Sequence, residues 1–123
     1  MSAPLDEFAK LSRRAAEDLD ATNSVRSMEP ALVAMLRLVE AHPELRTSFE
    51  VAFIEICDSP LPKEIVQFCM RELRWPVIRS HVERTMRATN DPRVHAALQQ
   101  VLDAYEDEWG DADLFEYYSR PAK

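Results

Sequence analysis

The clearest structural signal in the sequence lies between Pro76 and Met86, where the chain reads PVIRSHVERTM. A proline heads this stretch, and it is tolerated in the first turn of a helix because the N–H that it lacks would have no intrahelical partner there. The apolar residues Ile78, Val82 and Met86 follow at intervals of four, which places them on one face of a helix. The stretch therefore predicts an amphipathic helix that begins at Pro76.

A similar stretch lies 33 residues earlier, between Pro43 and Phe53, and reads PELRTSFEVAF. The two stretches share proline, arginine and glutamate at matching positions, and most of their apolar positions also correspond. The segments that precede them align at a shift of 32, with Pro30 opposite Pro62. Together these matches predict a helical hairpin that is repeated about twice, and residues 92–118 would open a third, atypical unit.

Proline marks most of the expected helix starts. Six of the eight prolines head a stretch with helical periodicity: Pro4, Pro30, Pro43, Pro62, Pro76 and Pro92. The sequence predicts one all-α domain over residues 1–123, with helices at about 4–20, 30–41, 43–57, 62–74, 76–88 and 92–108 and a short one near 111–118. The predicted architecture is a set of stacked helical hairpins, HEAT-like or an irregular bundle, and residues 21–28 are expected to form its flexible joint. Matching apolar columns predict a core that includes Leu36, Phe49, Phe53, Phe68, Val82 and Leu98.

The composition is that of a globular domain, with 46% hydrophobic and 30% charged residues. Unbroken apolar runs are far shorter than the roughly 20 residues that cross a bilayer, so no membrane association is expected. The start of the sequence has neither the basic nor the apolar region of a secretory signal, and a cytoplasmic location is the expectation. Cys57 and Cys69 lie in apolar helical stretches, which favours two reduced thiols over a disulfide.

The net charge and the glycine content exclude several classes of function. A net charge of −7 disfavours attraction to nucleic acid or anionic lipid and favours a basic protein partner. Gly110 is the single glycine, which excludes the glycine-rich loops that hold nucleotide phosphates. No cofactor is therefore expected.

From Asp91 the chain reads DPRVHAAL. The predicted helices also occur in pairs, and these pairs repeat with a period in the low thirties. This pattern resembles the HEAT-type α-hairpin repeats over residues 30–108. The resemblance implies a stacked-hairpin fold that binds protein partners, and it implies no catalytic residue.

Three histidines and two cysteines are the candidate metal ligands, and none of them is paired at the spacing of a metal site. Cys69 and His81 could meet across two neighbouring helices. The alternative function is therefore a small-molecule-binding or metal-binding protein with a pocket near these two residues. Phe68 and Met70 flank Cys69, however, and favour an inert, buried thiol.

Charge is unevenly distributed along the second half of the chain. Residues 71–93 carry six arginines and three carboxylates, whereas residues 103–116 carry seven carboxylates and no basic residue. One interpretation is that the two regions pair within the fold. The other is that the acidic region, defined here as the acidic segment (residues 103–118), meets a partner.

The second interpretation gives a hypothesis for the function. Aromatic residues alternate with the carboxylates of the acidic segment, and aromatic anchors within a charged rim are typical of protein interfaces. The expected contact residues are Trp109, Tyr117, Tyr118, Glu106, Asp107 and Asp111. The predicted function is a non-enzymatic protein–protein interaction module, and a narrower version is an acidic, immunity-like inhibitor of a basic partner. The rival interpretation is that the aromatic residues close the core.

Overall fold

The computed structural model describes residues 3–119, and within that range the chain forms helices and no strand. The seven α-helices are α1 (Ala3–Thr22), α2 (Val25–Ala41), α3 (Arg46–Cys57), α4 (Glu64–Leu73), α5 (Pro76–Ala88), α6 (Pro92–Asp103) and α7 (Glu116–Ser119). Short 3-10 helices at Pro43–Leu45 and Gly110–Leu114 precede α3 and α7. The all-α prediction is confirmed. None of the helices in this part of the chain is long and apolar enough to cross a membrane.

Several of the predicted helix starts are confirmed. Helices α5 and α6 begin at Pro76 and Pro92, and the 3-10 turn before α3 begins at Pro43. The carboxylate of Asp91 accepts a hydrogen bond from the backbone N–H of Arg93 at 2.9 Å and so caps the start of α6. Such a cap satisfies one of the N–H groups that a helix start leaves without a partner.

The predicted helix start at Pro30 is wrong. Helix α2 begins at Val25, so Pro30 lies inside it and removes the one hydrogen bond that its N–H would have given to the Arg26 carbonyl. The expected joint at residues 21–28 is consequently a turn of two residues, Asn23 and Ser24. Asn23 adopts a φ of 55°, a left-handed conformation that asparagine tolerates better than most residues. This tight turn folds α1 back along α2 as a hairpin.

The sixth helix is shorter than predicted, because it ends at Asp103 rather than near residue 108. Gly110 does not end this helix; it begins the second 3-10 turn. Asp111 follows Gly110 and is of a residue type that favours N-cap positions, but it lies inside this 3-10 turn. Its carboxylate instead accepts a hydrogen bond from the Gln67 side chain at 2.9 Å.

The helices pack as a bundle, in which α1 contacts α2 and α5 contacts α6. Helices α2, α4 and α6 contact one another in succession, and α3 contacts α5. The core prediction is confirmed, because all six of its members are buried: Leu36, Phe49, Phe53, Phe68, Val82 and Leu98. Phe8 of α1 packs on the rings of Phe49 and Phe53 at centroid distances of 5.4 and 5.1 Å, so α1 covers one side of this core.

Candidate functional site

The aromatic residues of the acidic segment form a buried cluster against α4. The Phe68 ring lies 5.1 Å from that of Phe115 and 5.0 Å from that of Tyr118, and Trp109 stacks on Phe115 at 5.8 Å. The Tyr118 hydroxyl donates a hydrogen bond to the Phe68 carbonyl, and burial raises its pKa above the usual value. Aromatic contacts of this kind add to the stability that burial provides. The cluster therefore fastens the segment to the core.

This packing leaves Trp109, one of the predicted contact residues, little surface for a partner. Trp109 is only 6% exposed, and its buried indole N–H has no hydrogen-bond partner among residues 3–119. Tyr117 and Tyr118 are half-buried. The rival interpretation, in which aromatic rings of the segment close the core, agrees with the burial of Trp109 and Phe115.

Arg71 of α4 holds the backbone of the acidic segment. Its guanidinium donates hydrogen bonds to the carbonyl oxygens of Ala104, Glu106 and Asp107, with distances of 3.1 Å to Ala104 and 3.2 Å to Asp107. The same guanidinium lies 5.6 Å from the centre of the Trp109 ring. Basic and acidic regions thus do pair within the fold, but the arginine bonds to the main chain rather than to the carboxylates.

The start of α2 holds the other end of the segment. Arg26 Nε donates a hydrogen bond to the Leu114 carbonyl at 2.9 Å. The Glu29 carboxylate accepts hydrogen bonds from the backbone N–H groups of Glu116 and Tyr117, at 2.9 and 2.7 Å. A carboxylate at this position is favourable because the first N–H groups of α7 have no partner within the helix.

Sequence reasoning missed both of these α2 residues because it began the helix at Pro30. A signal was present, since Ser24 belongs to the residue types that favour N-cap positions. Arg26 and Glu29 are three residues apart, which places them on the same face once the helix is started at Val25. With Ser24 as the N-cap and Val25 as the first helical residue, the sequence would therefore have predicted two charged side chains at one end of the bundle.

Of the seven carboxylates of the acidic segment, two accept side-chain hydrogen bonds, and five are exposed and make no hydrogen bond or ion pair through their side chains within residues 3–119. Asp111 and Asp103 are engaged, because each accepts a hydrogen bond from a glutamine side chain at 2.9 Å. Three of the five exposed carboxylates are consecutive in the chain: Glu106, Asp107 and Glu108. We call these three residues the acidic turn. Their backbone is fixed by Arg71, yet no basic side chain in this part of the chain forms an ion pair with their carboxylates.

The structure does not assemble the alternative site at Cys69 and His81. The Cys69 side chain is fully buried, and burial raises the pKa of its thiol. His81 Nε2 instead lies 2.9 Å from a carboxylate oxygen of Asp58. Cys57 is also a free, buried thiol, and burial raises its pKa to about 12. Both thiols therefore stay protonated near neutral pH, which makes them poor nucleophiles.

Metal coordination receives no support from the arrangement of side chains. Within residues 3–119, no group of three or more histidine, cysteine, aspartate or glutamate side chains is placed to hold a metal ion. Of the predicted contact residues, Glu106 and Asp107 are exposed, Tyr117 and Tyr118 are half-buried, Asp111 is bound to Gln67 and Trp109 is buried.

Comparisons with known proteins leave the function to be argued from this geometry. The chain matches no protein-family model, no curated protein and no solved structure. The HEAT-type resemblance consequently stays a prediction.

Proposed function

We propose that the protein is a non-enzymatic helical module that binds another protein, and that the acidic turn contacts a basic surface of that partner. The observation that carries the proposal is the presence of three exposed, unpaired carboxylates on a backbone that Arg71 holds in place. The helical-hairpin repeat predicted from the sequence supports it, since stacked-hairpin repeats typically present extended surfaces to partners.

The physical argument concerns charge and order. Three adjacent like charges repel one another, and within residues 3–119 no basic side chain forms an ion pair with them, although Arg71 binds their main chain. A basic partner would relieve this repulsion and would be attracted over a distance of about 8 Å at physiological ionic strength. Because the turn is already ordered by Arg71, binding would cost less conformational entropy than the ordering of a flexible loop.

The acidic segment also carries an exposed apolar side chain, that of Leu114, whereas Trp109 is buried. Leu114 is 44% exposed, and its carbonyl is held by Arg26. The whole-molecule charge of −7 also favours a basic partner. In the narrower form of the proposal, binding inhibits the partner, as electrostatically steered inhibitors do.

The test compares the tagged wild-type chain with two triple variants of equal charge change. In the first, Glu106→Gln, Asp107→Asn and Glu108→Gln neutralise the acidic turn. In the control, Glu7→Gln, Glu17→Gln and Asp20→Asn neutralise three exposed carboxylates of α1. Each protein is used for affinity purification from the cells that express it, at low and at high salt.

We expect a protein that wild type and control both retain at low salt, that high salt releases, and that the acidic-turn variant fails to retain. The melting temperature of the acidic-turn variant should be unchanged or slightly raised, because like-charge repulsion is removed. Retention of the same proteins by all three chains would contradict the proposal. A lowered melting temperature would instead assign these carboxylates a structural role.

A further inference from the structure

A cleft of about 370 Å³ lies near the start of α6, away from the acidic turn that follows the end of this helix. Its apolar walls are formed by Cys57, Val94, Ala97 and Leu98, and its basic groups are Lys63 and Arg93. Small-molecule sites typically have volumes of about 300 to 1,000 Å³, with apolar walls and a few polar groups. The cleft matches that description at the lower end of the range.

Lys63 is the central polar group of the cleft. Its ammonium donates hydrogen bonds to the carbonyl oxygens of Ser59 and Leu61, at 2.6 and 2.7 Å. An ammonium has three N–H donors, so one donor remains without a partner among the described residues. Partial burial lowers the pKa of Lys63, which means that its charge is incompletely solvated in the cleft.

Two cations, Lys63 and Arg93, and one carboxylate, Asp58, line the cleft, and Glu64 adds a second negative charge near Lys63. Arg93 lines the same cleft and forms no ion pair within residues 3–119. The one carboxylate on the wall is Asp58, and its oxygen is bound to His81 Nε2 at 2.9 Å. Cys57 adds no negative charge near neutral pH, because the pKa of its thiol is about 12.

We propose that this cleft binds a small carboxylic acid with an apolar body. The carboxylate would accept hydrogen bonds from Lys63 and Arg93, and the apolar body would lie against Val94, Ala97 and Leu98. Hydrogen bonds between an ammonium or guanidinium and a carboxylate are among the strongest in proteins. The apolar walls disfavour a fully hydrated anion such as inorganic phosphate, whose oxygens would lose their partners there.

The site is independent of the proposed function. The cleft and the acidic turn lie toward opposite ends of α6, which has 12 residues and is about 18 Å long at 1.5 Å per residue. If no carboxylate binds in the cleft, the proposal that the acidic turn binds a protein partner is unaffected. If no protein partner is found, the proposal for the cleft is likewise unaffected.

The test is a calorimetric and NMR titration of the full chain with decanoate, below its micelle concentration. Decanol and decyltrimethylammonium serve as neutral and cationic probes with the same chain length. Lys63→Met removes the charge and keeps the apolar stem, and Lys10→Met is the control on the exposed face of α1. We expect Lys63→Met to weaken decanoate binding about tenfold, with no change for decanol, because one charged hydrogen bond is lost.

Two further measurements keep the proposal testable if Lys63→Met folds poorly. Arg93→Gln alters an exposed residue and should also weaken decanoate selectively. Ala97→Phe should fill the cleft and abolish binding of decanoate and decanol alike. In the wild-type chain, decanoate should raise the pKa of Lys63, as followed by the NMR signal of its ε-carbon.

The proposal is overturned by any of three results. These are equal affinity of wild type and Arg93→Gln for decanoate, equal affinity of the wild type for decanoate and decanol, and NMR shifts that do not include residues 57–63 and 93–98.

Discussion

The helical body (residues 25–102) and the acidic segment are held together by different interactions. In the body, apolar side chains recur at helical spacing and are buried in a common core, as Leu36, Phe49 and Leu98 show. In the acidic segment, helical periodicity ends, and distant side chains such as Arg71 and Glu29 satisfy the backbone instead. Backbone groups that leave a helix still require partners, and here the neighbouring helices provide them.

The two regions also differ in which groups their charged side chains contact. From the sequence, the arginines of the body would be expected to pair with the carboxylates of the acidic segment. In the structure, Arg71 instead donates hydrogen bonds to carbonyl oxygens of the segment. The carboxylates of the acidic turn are consequently left exposed. Order in the segment and charge on its surface are therefore separate properties, and variants can change one without the other.

Phe68 is where the two regions meet, so its truncation should have the largest effect. Phe68→Ala is expected to lower the free energy of unfolding by about 3 to 5 kcal/mol, because it leaves a cavity in a packed core and removes three aromatic contacts. Urea unfolding followed by circular dichroism measures the change. A loss below about 1 kcal/mol would mean that the body and the segment do not share a core.

Alkaline pH tests how completely the body excludes water. The Cys57 thiol has a pKa of about 12 in the fold against an ordinary value of 9.0, because burial disfavours the thiolate. Above pH 9 the unfolded chain binds fewer protons than the folded one, so stability falls as the pH rises from 9 to 12. This thiol contributes up to about 1.4 kcal/mol per pH unit to that fall.

The measurement is the free energy of unfolding across this pH range, for the wild type and Cys57→Ala. The variant should lose stability less steeply with pH, whatever its stability at pH 7. Parallel curves would show that the thiol is solvated in the folded state.

Arg71 tests whether the main-chain hydrogen bonds stabilise the segment. Arg71→Met should cost about 1.5 to 3 kcal/mol, since it removes charged hydrogen bonds to three carbonyl groups. Arg84→Met is the matched control, because Arg84 is exposed and no ion pair or hydrogen bond of its side chain occurs within residues 3–119. Hydrogen exchange should accelerate in residues 104–109 of the first variant only. Unchanged exchange there would mean that the aromatic cluster alone fixes the segment.

Glu29 is expected to give the smallest effect of the series. Glu29→Ala removes the acceptor for the N–H groups of Glu116 and Tyr117, at a cost of about 1 kcal/mol, which is typical of a lost helix cap. Glu29→Gln keeps one acceptor oxygen and should lose less. Thermal unfolding of the two variants provides the comparison. Equal losses would indicate that the charge of Glu29, rather than its hydrogen bonds, holds α7.

The body could be predicted from the sequence because its signals are local. Prolines at Pro76 and Pro92 mark helix starts, and apolar intervals of three and four identify buried faces such as those of Phe49 and Val82. Pro30 misled the same argument, because it lies inside α2, where proline removes a hydrogen bond and is therefore not expected from the sequence.

The candidate site was predictable in its composition but not in its arrangement. The carboxylates of the acidic turn stand out in the sequence and are exposed as expected. The burial of Trp109 and the engagement of Asp111 depend on Phe115 and Gln67, which are distant or unremarkable in sequence. Contacts of this kind carry no periodicity, so single-sequence reasoning has no signal from which to find them.

The hydrogen bonds between α2 and the acidic segment also have a consequence for the order of folding. Glu29 and Tyr117 are 88 residues apart, and Arg26 and Leu114 are likewise separated by 88 residues. Contacts that close such long loops form late, because the entropy of loop closure must be lost before they stabilise the chain. Helical hairpins such as α1 and α2 have local contacts and can form first. The segment is then expected to dock onto a nearly complete body, and its contacts should govern the rate of unfolding more than the rate of folding.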